Sequence, residues 1–164
     1  MTEADVAAKE ADTAKFSLVR IYLKDVSLEA PDSPAGLLGD DQWNPKISLD
    51  YRVQLAKLSD DTHDVVLTVT ASAADEQKTI FLIEIQQGGV FQISNVKKQN
   101  RLNRLLNVRC PNILFPYVSE TIDSLVVKAG FPPLMLAPLN FRGHYEQLAA
   151  SRSKGEQPPH EELN

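Results

Sequence analysis

The chain has 164 residues, with 17 Lys and Arg against 22 Asp and Glu and a formal net charge of -5. That length suits one domain with a real core, or one subunit of an oligomer, and the acidic balance argues against a general nucleic-acid binder, since a phosphate backbone rewards clustered positive charge. Cys110 is the only cysteine, which excludes an intrachain disulfide and a cysteine-based zinc site within one chain; no apolar run approaches the ~18 residues of a spanning helix, so no membrane insertion and a cytoplasmic location are expected.

Residues 1–15 are alanine-rich and charged with little apolar surface, and are expected to form a flexible arm ahead of a domain spanning residues 16–150. From Phe16 to Ala30 alternation predicts a first strand, with Phe16, Leu18 and Tyr22 on one face and Val19, Ile21 and Leu23 on the other. Asp25, Ser27 and Glu29 continue the second set, placing two carboxylates roughly 13 Å apart, too far for an enzyme pair. Pro31 to Pro45 is loop chemistry, and the single tryptophan, Trp43, either plugs the core or lines a groove. Ile47, Leu49, Tyr51, Val53 and Leu55 alternate with polar residues as a second strand, and the β-branched run Asp64 to Ala73 reads as a third, with a turn at 59–62 favouring antiparallel pairing.

The fourth strand, Thr79 to Gly89, has two unlike faces. Phe81, Ile83 and Ile85 ask for a core, whereas Ile80, Leu82, Glu84 and Gln86 mix a carboxylate with large apolar groups, as a docking face would. Gly88-Gly89 predicts a bulge or turn, with Val90 to Val96 prolonging the strand. Lys97, Lys98, Arg101, Arg104 and Arg109 then form a basic run, read either as an anion-binding patch or as the solvated side of a short helix carrying Leu102, Leu105 and Leu106.

Cys110 to Gly130 predicts a long helix, capped by Asn112 and closed by Gly130, with Leu114, Tyr117, Val118, Thr121, Ile122, Leu125 and Ala129 along one stripe. Phe115, Val126 and Val127 fall outside it, so the helix is apolar on two sides and self-association through it is expected. Phe131 to Asn140 is a proline-pinned loop dense in apolar groups, Phe141 to Ala150 a short helix capped by Asn140, and residues 151–164 a disordered tail. The fold class is thus α+β: a four-stranded antiparallel sheet with one long helix on one face and a short C-terminal helix.

Enzyme chemistry finds no footing. His63, His144 and His160 lack metal or catalytic spacing, and nucleophile-elbow, phosphate-loop and dinucleotide motifs are missing, so no cofactor and no metal are expected. Cys110 beside Arg109 is read as a reactive thiol or as buried filler.

Four segments in fixed order, Arg20 to Pro31 (RIYLKDVSLEAP), Glu84 to Phe91 (EIQQGGVF), Cys110 to Tyr117 (CPNILFPY) and Phe131 to Phe141 (FPPLMLAPLNF), resemble the SecB family of protein-export chaperones. The resemblance spans Phe16 to Leu148. It implies an ATP-independent holdase that assembles as a homotetramer, a dimer of dimers, binds unfolded precursor proteins and delivers them to the SecA ATPase. It further implies SecA contacts at Asp25, Glu29, Leu82 and Glu84. A client groove is implied at Trp43, Phe131, Leu134, Met135, Leu136 and Leu139. Ile83, Ile85 and Gln87 are implied in the tetramer interface, to which the two-sided helix adds Tyr117, Thr121, Ile122 and Leu125. A SecB-like chaperone dedicated to an antitoxin is the alternative within the same fold.

Overall fold

The computed structural model describes residues 13–38, 43–76 and 78–154. The expected arm up to residue 12, the tail from residue 155, and His160 lie outside these residues. Four strands, β1 (Lys15–Glu29), β2 (Lys46–Lys57), β3 (Thr62–Asp75) and β4 (Lys78–Ser94), form one antiparallel sheet in the order β1-β4-β3-β2. The α+β architecture expected from the sequence is observed.

Val65, Leu67, Val69, Ala71 and Ala73 of β3 and Phe81, Ile83, Ile85, Phe91 and Ile93 of β4 turn to one face and are buried there. A single long helix, α1, covers them, running without interruption through Gln99–Arg104, Leu105–Arg109 and Cys110–Lys128. It begins eleven residues before the expected start at Cys110. Asn112 does not cap it; its side-chain amide donates to the Val108 carbonyl one turn back. Pro111, which lacks an N–H and whose ring crowds the carbonyl four residues earlier, lies inside this helix. Here the five residues Leu105–Arg109 open into a wider π turn just ahead of Pro111, which relieves that crowding and lets the helix continue. Its far end follows expectation: Gly130, at φ +94, donates to the Val127 carbonyl and Phe131 to that of Val126, the paired bonds of a glycine-terminated helix.

Core-facing residues of α1 are Leu114, Phe115, Val118, Ile122 and Val126, whereas Tyr117 and Val127 are exposed. The inward stripe is therefore rotated from the expected one, gaining Phe115 and Val126 and losing Tyr117. The last helix, α2 (Phe141–Lys154), is longer than expected and takes in the first four residues assigned to the tail. Asn140 caps it through its side-chain oxygen, which accepts from the Gly143 N–H at 3.0 Å. Phe141 and His144 dock it on β2: the Phe141 ring meets Tyr51 edge-on at 4.9 Å, and the Tyr51 hydroxyl lies 2.6 Å from His144 Nδ1.

Gly88 and Gly89 pair in continuous register with Val66 and Val65 of β3, so no bulge falls at the glycines; β4 slips only at Ile80, between the Phe81–Ala73 and Thr79–Ala74 pairs. Two further register shifts occur on β1, between Leu18 and Arg20 and between Leu23 and Asp25. The glycines serve close packing. A Cβ on Gly88 would sit 2.1 Å from Cζ of Tyr22, and one on Gly89 would sit 2.8 Å from Leu114 of α1.

Candidate functional site

The two β1 irregularities decide which side chains share a face. Each inserts one residue, Val19 and then Lys24, and so reverses the alternation beyond it. Phe16 and Leu18 pair with Ile93 and Phe91, Ile21 and Leu23 with Gly89 and Gln87, and Val26 and Leu28 with Ile85 and Ile83, all on the helix side. Asp25, Ser27 and Glu29 pair with Gln86, Glu84 and Leu82 on the opposite, open side. Simple alternation had joined these carboxylates to the face of Ile21 and Leu23; the skip at Lys24 separates them.

The open face is laid out in rows across the four strands. Glu29, Leu82, Ser72 and Ser48 form one row; Ser27, Glu84, Thr70 and Asp50 the next; Asp25, Gln86, Thr68 and Arg52 the third. Neighbouring strands lie ~4.8 Å apart, so Leu82 stands between the Glu29 carboxylate and two small serines, which leaves it reachable at 39% exposure. Glu84 is held in place. Thr70 Oγ1 donates to its Oε2 and Gln86 Nε2 to its Oε1, each at 3.3 Å, and the Arg52 guanidinium lies 3.9 Å from Oε1. Strand alternation places Arg52, Thr70 and Gln86 on this face, yet reading strands singly gave no reason to join them to Glu84. Beside this cluster Tyr22 lies over Gly88 and donates its hydroxyl to Asp64 Oδ1 at 2.8 Å. Burial, then the Asp64 carboxylate, pushes the Tyr22 phenol up to about 12, so it stays a neutral donor.

The expected groove residues gather at the C-terminal end of α1. Phe131 is buried, tilted against Phe81 at 5.4 Å, and Trp43 stacks on its outer side at 5.5 Å. Trp43 thus packs on a core residue and still shows 40% of its surface. Leu134, Leu136 and Leu139 fold back and pack partly buried on the core, while Met135, at φ +48, projects outward with 84% of its surface exposed. Asp123 of α1 pins this loop by accepting the Leu134 N–H at 3.0 Å.

The expected interface set divides. Ile83, Ile85 and Ile122 are fully buried, and Gln87 is buried with its amide donating to the Tyr22 carbonyl at 2.8 Å. These four sit inside the chain's own core, Ile122 on the inner side of α1 and the other three beneath it, and present no surface for direct contact. Tyr117 is exposed, and Thr121 and Leu125 are half-buried. β1, an edge strand, leaves Leu18, Val19, Leu23 and Val26 exposed.

Other chemistry resolves simply. Cys110 is fully buried, and desolvation, only partly opposed by Arg109, pushes its thiol up to about 12, so it is packed filler rather than a nucleophile. Arg109 lies 4.0 Å over the Phe16 ring and Arg104 reaches Glu146, so part of the basic run is spent on packing β1 and α2. Among the described residues no group of His, Cys, Asp and Glu could hold a metal ion, and no helix is long and apolar enough to cross a membrane.

A family model for the preprotein translocase subunit SecB matches residues 9–152. The protein-export protein SecB of Hahella chejuensis is 46% identical over 147 residues, 90% of this chain and 91% of that protein. Its namesake from Marinobacter nauticus is 45% identical over 150 residues, covering 87% and 89%. That of Pseudomonas fluorescens is 43% identical over 158 residues, covering 95% and 96%. Among solved structures, a Mycobacterium tuberculosis SecB-like chaperone in complex with a ChAD peptide from the HigA1 antitoxin gives a TM-score of 0.63 at 16% identity, covering 82% of this chain and 97% of that one. At that identity the likeness is one of fold.

Proposed function

The chain belongs to the SecB family of protein-export chaperones, and on that premise we propose that it is an ATP-independent holdase, which keeps unfolded precursor proteins export-competent in the cytoplasm and hands them to the SecA ATPase. The observation that carries the handover is the open sheet face, where Asp25, Glu29, Leu82 and Glu84 come together although they derive from two strands and are separated from the core side by the Lys24 insertion. Acid around a reachable leucine suits a basic partner with a small apolar contact.

Trp43, the loop from Phe131 to Leu139 and the outward Met135 supply the client groove in this reading. Flat aromatic and flexible thioether surfaces bind extended chains with little sequence preference. Assembly into a tetramer uses the exposed side of α1, with Tyr117, Thr121 and Leu125, and the uncovered apolar strip of β1; Ile83, Ile85, Gln87 and Ile122 support it from beneath by fixing the helix. A tetramer offers several grooves to one chain, which raises avidity without new contacts. Export is favoured over a chaperone dedicated to an antitoxin because the acidic docking face is intact and the relatives at 43–46% identity are named for export.

Glu84→Lys tests the handover. Isothermal titration is expected to lose SecA binding while the mass of the assembly and its capture of an unfolded precursor stay unchanged. Retained SecA binding would remove the docking assignment.

A further inference from the structure

Among the described residues, Glu84 is the one proposed docking carboxylate with a cation beside it on its own sheet face, and the geometry of that neighbour is unusual. Thr70 and Gln86 each donate to one of its oxygens at 3.3 Å, fixing the carboxylate plane, whereas Arg52 stands at 3.9 Å from Oε1, beyond hydrogen-bond reach. A carboxylate offers about four acceptor sites on its two oxygens, so Glu84 keeps vacant sites while an adjacent positive charge partly neutralises it. The Arg52 side chain is 58% exposed against 33% for Glu84, and it rises from β2, an edge strand, so it is free to move away without disturbing the core.

We infer that Arg52 is an internal competitor for the Glu84 carboxylate, a specificity-determining residue that a basic side chain of the docking partner must displace. This rests on the docking reading above. Arg52 weakens binding of any basic partner by occupying the field of Glu84, and it thereby favours partners whose cation reaches both Glu84 oxygens over those offering only diffuse positive charge. Thr70 and Gln86 are positioning residues that keep Glu84 in place while Arg52 leaves. Since exposed ion pairs of this kind are weak, the effect is modest: neutralising Arg52 tightens partner binding about two- to fivefold.

The test is a double-mutant cycle read by isothermal titration of purified SecA into the full-length protein at one fixed salt concentration, using wild type, Arg52→Gln, Arg52→Lys, Glu84→Gln and the Arg52→Gln/Glu84→Gln double variant, with Asp25→Asn as an independent probe of the face. The expected result is tighter binding for Arg52→Gln, wild-type binding for Arg52→Lys, and no effect of Arg52→Gln once Glu84 is neutral. If Arg52→Gln leaves binding unchanged or weaker, or tightens it equally with and without the Glu84 charge, while Glu84→Gln and Asp25→Asn still weaken it, the competitor role is overturned and the docking face stands. If neither Glu84→Gln nor Asp25→Asn weakens binding, the docking face falls and the competitor role falls with it.

Discussion

Gly88 shows how a single side chain fixes the local geometry of the docking face. The Tyr22 ring occupies the space where a Cβ would sit, so Gly88→Ala forces the ring aside and strains its hydrogen bond to Asp64. A loss of about 1–3 kcal/mol is expected in urea unfolding, and an unchanged midpoint would contradict the packing described. His63 carries the second residue-scale expectation. It is buried on the helix side between Lys57 and Phe91, and its Nδ1 finds no hydrogen-bond partner among the described residues. Burial first and Lys57 second, partly opposed by Asp61, hold its pKa below the ordinary value of about 6.5. The folded state thus keeps a neutral ring while the unfolded chain takes up a proton. The stability tied to this site is complete above about pH 6.5 and declines as pH falls from there toward the lowered folded value. His63→Gln should flatten that part of the urea-midpoint profile between about pH 7 and 5; an equally steep profile would place the proton elsewhere.

In the proposed reading the proline-pinned loop is the element most directly tied to client binding. Among the described residues, its side-chain hydrogen bond to α1 is that from the Leu134 N–H to the Asp123 carboxylate. Asp123→Ala is expected to cost about 1 kcal/mol and to speed hydrogen exchange at Leu134 selectively, leaving the β3 and β4 amides protected. Exchange unchanged at Leu134 would show that Leu134, Leu136 and Leu139 hold the loop by packing alone. Elements were legible in the sequence to the degree that their periodicity is unbroken. The alternation of β2 and the fall of Phe81, Ile83 and Ile85 on the buried side of β4 were readable residue by residue. On β1 the same rule failed at Val19 and Lys24, because an inserted residue leaves composition untouched and reveals itself only against the partner strand. Asn112 misled in a similar way: it looked like a helix cap, whereas α1 runs on through it from Gln99 by way of the π turn at Leu105–Arg109. The family motifs singled out Asp25, Glu29, Leu82 and Glu84, which the register gathers on one face, but the support of Glu84 by Thr70, Gln86 and Arg52 required the cross-strand register.

For the whole molecule, the division of faces keeps the surfaces proposed for docking, client capture and assembly apart. One side of the sheet is buried by α1, the other lies open with its carboxylates, and the loop-and-tryptophan cluster sits at the end of the helix. Disturbing assembly and disturbing the fold should therefore be separable. Tyr117→Asp, on the exposed side of α1, is expected to shift the light-scattering mass from tetramer toward dimer with little loss of stability, whereas Ile83→Asp places an unpaired charge in the core and should destabilise the chain itself. In the proposed function this assembly holds unfolded precursors without nucleotide. The most direct measurement is light-scattering mass on a sizing column, with an unfolded precursor and with the same precursor folded, in the absence of ATP. A tetramer that co-elutes with the unfolded form and ignores the folded one is the expected result; a tetramer or smaller species that captures neither would contradict the holdase reading.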